Sequence, residues 1–278
     1  MTNYIYSHEL IIRLSAFIGI FVLMYAWQTV KPRRKLLVSL VSRQSNNLGI
    51  VVINTILLRV LFPLSTVGLA FYAYYHGWGL LNNISLPTTL KILISIIFLD
   101  LVIYIQHVMF HKVSFLWRLH CVHHADLEID VTTGIRFHPI EIILSMLIKW
   151  FSIISFGIPA LAIIGFEVIL NATALFNHSN IDLPSPVDRI IRLFLVTPDM
   201  HRIHHSTIKS EMNSNFGFNL PWWDRLFGTY KKNPKLGHLG MTIGLEALRD
   251  PNQVNRLLGM LALPLNIFKK IDSSLRNN

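Results

Sequence analysis

The sequence predicts an all-α polytopic membrane protein: three spanning helices, then a helical hairpin, and a cytoplasmic helical cap carrying histidine-rich motifs. Three observations predict it. Of 278 residues, 52% are hydrophobic and only 14% charged, against about a quarter charged in soluble domains. The apolar residues gather into runs of the length a bilayer requires. The connections between those runs differ sharply in Lys and Arg content, as connections on opposite membrane faces do.

The first run, Leu10–Thr29, has about the 20 residues that a spanning helix needs. No charged segment precedes it and "KPRRK" follows it, so it is expected to be a retained span rather than a cleavable signal. The second, Leu48–Tyr75, is interrupted by Asn54, Arg59 and Pro63 and is expected to cross as one tilted helix. The third, Ile92–Phe110, contains one acid, Asp100. Ile140–Asn177 is too long for a single crossing at about 1.5 Å per residue. "FGIPA" at Phe156–Ala160 breaks it near its middle, which predicts a hairpin.

Residues 1–10 and 77–89 contain no Lys or Arg, whereas Lys31–Arg43 contains five. The positive-inside rule then places the N-terminus outside and the 31–43 connection in the cytoplasm. Ser179–Asn278 is expected to fold as a cap on the spans. Its stretch "VNRLLGMLALPLNIFKKI" is amphipathic, suited either to the membrane interface or to packing on the cap. The chain divides accordingly into N-terminal membrane helices (1–90), a central region (91–240) and a C-terminal segment (241–278). A formal charge of +10 fits nucleic acid or an anionic membrane surface, and the apolar runs favour the membrane. The single cysteine, Cys121, excludes a disulfide framework and a multi-cysteine metal site.

With this topology, ten of thirteen histidines, from His107 to His205, fall at one membrane face. "HVMFH" sets His107 and His111 four apart. "HCVHH" carries His120, His123 and His124, and "HRIHH" carries His201, His204 and His205. Residues at i, i+3 and i+4 share a helix face. One such histidine alone is an ordinary surface residue, but three same-face groups point to a metal site. His138 and His178 complete the ten. A zinc site takes three or four ligands, so ten imidazoles oversupply it. Two ions with about five histidines each fit better, the triplets dividing their rings between them. A redox-active dinuclear centre follows, with iron the leading candidate.

These motifs, together with "WWDRLFGTY", resemble the integral-membrane fatty acid hydroxylase and sterol desaturase superfamily over roughly Leu99–Tyr230. The resemblance implies a non-haem di-iron enzyme that uses O₂ to hydroxylate or desaturate an unactivated C–H bond of a lipid, such as a fatty acyl chain or sterol. It implies metal-ligand roles for His107, His111, His120, His123, His124, His201, His204 and His205, with His178 as the additional histidine that often precedes the last box. His138 is either a further ligand or a structural hydrogen-bonding residue beside Pro139. Electrons are expected from a separate ferredoxin- or cytochrome-type donor with its reductase. No nucleic-acid partner is expected.

Asp100 is costly inside a span. It is expected to orient a liganding histidine from another segment, or to pair with Arg59. Tyr104 shares its face and either lines the substrate pocket or simply packs. Asn215 matches an asparagine common after the last box, a structural or ligand-supporting position. Lys149 is expected to snorkel. Cys121 points away from the His120/His124 face and is not expected to be a ligand. Asp126 and Glu128 either orient histidines or are solvated loop acids. A histidine-rich membrane metal-binding or metal-transport protein is the competing class, although carriers place polar ligands near the midplane.

Overall fold

The computed structural model describes residues 2–36 and 38–276, with side chains described within 4–36 and 38–266. Among the described residues all regular structure is helical, with only isolated β-bridges. The principal helices are α1 (Glu9–Val30), α2 (Leu40–Leu61), α3 (Thr66–Tyr75), α4 (Thr88–Lys112), α5 (Ser114–His124), α6 (Pro139–Phe156), α7 (Ala160–His178), α8 (Ser185–Ile191), α9 (Pro198–His204), α10 (Trp222–Leu226) and α11 (Leu257–Arg276). Five segments are long and apolar enough to cross a membrane: α1, the broken α2–α3 segment, α4, α6 and α7. The chain is a multi-pass membrane protein.

The second crossing is not one tilted helix. Pro63 lacks a backbone N–H and disfavours helical backbone in the residue before it. Phe62 accordingly leaves the helix at φ −124°, ψ 73°. α3 restarts behind Ser65, whose side chain accepts from the Gly68 N–H.

The hairpin forms as its sequence predicts. Gly157 ends α6 in the left-handed region (φ 71°), where glycine escapes the Cβ penalty, and Pro159 begins α7. A Cβ on Gly79 would meet the Gly157 nitrogen at 2.1 Å, so a second glycine permits this close approach.

Burial separates the helices by role. Only 6% of the apolar window of α1 is buried against 56% for α7, so α7 is central and packs against α1, α3, α4 and α9. Among its neighbours lies an ion cluster: Glu167 of α7 meets Lys149 of α6 at 2.9 Å, Arg13 of α1 at 2.6 Å and the Thr66 hydroxyl of α3 at 3.2 Å. Lys149 therefore does not snorkel. The hairpin brings it to a buried carboxylate, a nearer counter-charge than the membrane surface.

The segment after α7 packs on the helices before it, and of the two His-x-x-His-His motifs only the last lies in it. α11 packs on α5 and α2, with Met260 and Leu263 buried and Leu258 and Leu265 exposed. Its Lys269–Lys270 end lies outside the described side chains.

Candidate metal centre

Four chain segments converge at the His178 end of α7. α4 runs on past its apolar stretch and places His107 and His111 one turn apart. α5 ends in His120, His123 and His124. His178 is the last residue of α7, and α9 with its capping residue supplies His201, His204 and His205. Nine rings form two groups: His107, His111, His120, His124 and His204; and His123, His178, His201 and His205. The potential ligand atoms within each group lie within 4.8 Å of one another. Each triplet divides the same way, its first and last histidines joining one group and its middle one the other. All nine are buried except His111, which is partly so.

Hydrogen bonds orient five of the rings. The Nδ1 atoms of His107, His123, His178 and His204 face the carbonyls of Phe216 (2.8 Å), Arg136 (3.1 Å), Ala174 (2.8 Å) and Ser214 (2.8 Å). That of His120 faces Glu141 Oε1 at 2.7 Å. Carbonyls only accept, so the Nδ1 atoms of His107, His123, His178 and His204 carry the proton and their Nε2 atoms present lone pairs.

The Nε2 atoms of His123 and His178 then stand 3.1 Å apart, lone pair to lone pair, an arrangement that repels unless a cation lies between them. Two ligands at right angles about 2.1 Å from one ion are separated by about 3 Å. The Nε2 atoms of His107, His120 and His204 and both ring nitrogens of His205 are buried without a hydrogen-bond partner, a costly condition. Burial pushes the His120 pKa down to about 3, and those of His123, His124, His201, His204 and His205 well below the ordinary histidine range. Neutral, oriented and unpartnered, the rings fit two metal ions, one in each group.

The surrounding frame is ion-paired. Arg43 of α2, fully buried, binds Asp126 at 2.7 Å and also Asp130. Arg136 donates to the Val122 carbonyl at 2.8 Å, to Asn47 at 3.1 Å and to the Val254 carbonyl. Burial alone would raise the Asp126 pKa, but Arg43 and Arg136 hold it below the usual carboxylate value. Asp126 thus neither orients a histidine nor is solvated. It locks the 126–136 loop, and with it the Arg136 carbonyl under His123, to α2. Glu128 is likewise buried.

Of the ten histidines expected as ligands, His138 lies outside both groups. Its Nδ1 accepts from the Ile140 N–H at the start of α6, and its Nε2 stands 3.3 Å from the Leu261 carbonyl. It caps a helix, because that first turn has unsatisfied donors. Asp100 faces neither a liganding histidine nor Arg59. Its Oδ2 accepts from Trp223 Nε1 at 2.7 Å and from the Leu220 N–H at 3.3 Å, since the 220–223 turn of the cap reaches that face of α4 first. Tyr104 stacks on Phe227 and shares a 2.9 Å hydrogen bond with Thr229, so it joins α4 to the cap.

Asn215 sits at φ 53° and binds the Met200 and Lys231 carbonyls at 3.0 and 2.9 Å. It thereby fixes the segment whose Ser214 and Phe216 carbonyls orient His204 and His107. Asp224 supports the same segment by accepting from the Phe216 and Gly217 N–H groups. Cys121 is buried, donates to the Arg118 carbonyl and belongs to neither group. Glu141 is the residue that sequence reasoning missed. Its signal was an acid in the first turn of a largely apolar helix, three residues after His138.

The chain is similar to several known proteins. The chain is 29% identical over 150 residues to the ornithine lipid hydroxylase of Rhizobium tropici, which covers 54% of this chain and 44% of that protein. It is 28% identical over 193 residues to the alkylglycerol monooxygenase of Xenopus tropicalis, covering 67% and 41%. Against the cholesterol 25-hydroxylase of Mus musculus it is 26% identical over 148 residues, covering 51% and 47%. The chain thus spans less than half the length of these relatives. No solved structure matches it. Residues 92–229, which hold all nine clustered histidines, match the fatty acid hydroxylase family, and the chain belongs to that family within the fatty acid hydroxylase and sterol desaturase superfamily.

Proposed function

We propose that this chain is a membrane-embedded, iron-dependent oxygenase that hydroxylates an unactivated C–H bond of a lipid. The observation that carries the reading is the pair of adjacent buried histidine groups with their nitrogens facing inward. Hydroxylation is preferred to desaturation because the relatives named above are lipid hydroxylases and monooxygenases. Two bound irons would activate O₂, with two electrons and two protons, so that one oxygen atom enters the C–H bond and the other leaves as water.

The protein's own residues do the rest. Four carbonyls fix the tautomers of four rings and Glu141 orients a fifth, and an oriented ring is what lets a ligand hold its metal in one geometry. Burial excludes the water that would quench a reactive oxidant. His111 is the one ring of the nine that is only partly buried. A lipid carbon approaches there, from the apolar side of α4. Electrons come from a separate ferredoxin- or cytochrome-type donor with its reductase, on the cytoplasmic face, with the N-terminus outside. A metal carrier is less well supported, because the ligands are gathered at one end of the bundle rather than along a path through it.

The test is metal analysis of the purified chain, coupled to the lipidome of cells with and without it. Two tightly held irons and a lipid heavier by one oxygen are expected. Absence of stoichiometric metal overturns the reading.

A further inference from the structure

A basic pocket of about 570 Å³ lies beside the histidine end, outside both ligand groups. Five cations line it (Arg33, Arg189, Arg192, Arg225 and Lys232) against two carboxylates. Both carboxylates are already engaged: Asp188 with Arg192 at 2.6 Å, and Asp199 with Arg33 at 3.1 Å and with Arg202. Arg189 and Lys232 are exposed and make no ion pair among the described residues.

An apolar strip borders the pocket. Ile190, Leu193, Phe194, Trp222, Leu226 and Phe227 are all exposed, at 45–69% for the set. The strip is one surface, because Trp222 Nε1 donates to the Leu193 carbonyl and Arg225 to the Arg192 carbonyl, at 2.8 and 2.9 Å.

Its depth can be read against α4. Leu90, Leu93, Ile97, Ile105 and Met109 form an exposed apolar stripe along that helix. At 1.5 Å per residue the stripe runs about 28 Å, the thickness of a hydrocarbon core. Asp100 is the central residue of α4 and binds Trp223, and Tyr104, one turn nearer the histidines, stacks on Phe227. The α10 segment therefore lies level with the inner part of the leaflet on the histidine side. Arg33, just past the end of α1, lines the same pocket.

From this register we propose that the pocket holds the phosphate of an anionic lipid of the site-side leaflet, whose acyl chains lie along the α8–α10 strip. Arginine and lysine supply the charge-assisted hydrogen bonds that a phosphate accepts, and the exposed side chains are covered by lipid rather than water. The assignment concerns binding, not turnover, and rests on the membrane reading alone.

Native mass spectrometry of the delipidated full chain with phosphatidylglycerol tests it, with phosphatidylcholine and inorganic phosphate as separate arms. One phosphatidylglycerol is expected to be retained, and the double variant Arg189→Gln/Lys232→Gln is expected to weaken it about 30-fold, at about 1 kcal/mol per cation. Equal retention of both lipids, undiminished retention by the variant, or displacement by inorganic phosphate overturns the proposal. Depth is read independently. Cys121 is the single cysteine and is buried, so Leu226→Cys gives one accessible labelling position. In nanodiscs a fluorophore there is expected to be quenched by brominated acyl chains and protected from iodide; the reverse pattern places the strip in water and overturns the assignment.

Discussion

The central helix α7 carries two buried polar centres that differ in one respect. Glu167 is closed within the chain: a lysine, an arginine and a hydroxyl from three other helices meet its carboxylate. His178, eleven residues later, is left open. Its Nδ1 is tied to a carbonyl, while its Nε2 faces the Nε2 atoms of His123 and His201 at 3.1 and 3.0 Å. Both centres are buried. A buried polar group whose partners are all internal holds helices together. One whose lone pairs converge with those of other rings suits a shared cation, and this difference separates structure from chemistry on a single helix.

Substitutions at the two ends should break the contrast in opposite ways. His204→Ala removes a ring from the five-histidine group and is expected to abolish turnover and lower metal content while membrane insertion is intact; retained turnover refutes the ligand assignment. Glu167→Ala leaves Lys149 and Arg13 facing each other and is expected to cost about 3–5 kcal/mol, measured by unfolding in detergent. Metal content should be kept at a temperature where the variant is folded, and loss of iron without loss of stability would contradict a purely structural cluster.

Acid sharpens the comparison further. Histidines in the unfolded chain protonate below about pH 6.5, whereas buried His120 stays neutral to about pH 3. The unfolded state then binds more protons, so stability of the metal-free chain falls as pH drops from about 6.5 toward 3. Bound metal should oppose that loss until protons displace it. A pH-independent melting temperature across this window excludes buried neutral rings.

The smallest effect is expected at Glu141. Glu141→Gln keeps an acceptor for His120 but replaces the carboxyl, and such changes lower metal affinity about 10–100-fold. Competition with a chelator measures it, and Glu141→Ala should be worse than Gln if the role is orientation of the ring.

Much of this was legible from spacing. Triplets at i, i+3 and i+4 made it plain that rings could be shared between two ions, and the groups observed divide them so. Short-range signals sufficed there, as they did for the hairpin at Gly157. What was not legible depends on partners distant in sequence. Asp100 was known to be buried, but its partner Trp223 is 123 positions away. Lys149 read as a snorkelling residue until the hairpin register set it against Glu167. Arg43 and Asp126, 83 positions apart, have no pattern that links them. Pro63 was visible, yet a break and a kink look alike until the backbone of Phe62 is seen.

The division of the last triplet has a consequence for how the protein is made. His204 belongs to one group and His201 and His205 to the other, so neither is complete until synthesis passes residue 205. A nascent chain that has already threaded its spans carries two motifs and no finished cage. On the metal-centre reading, both groups would therefore be completed in one step, by the docking of α9.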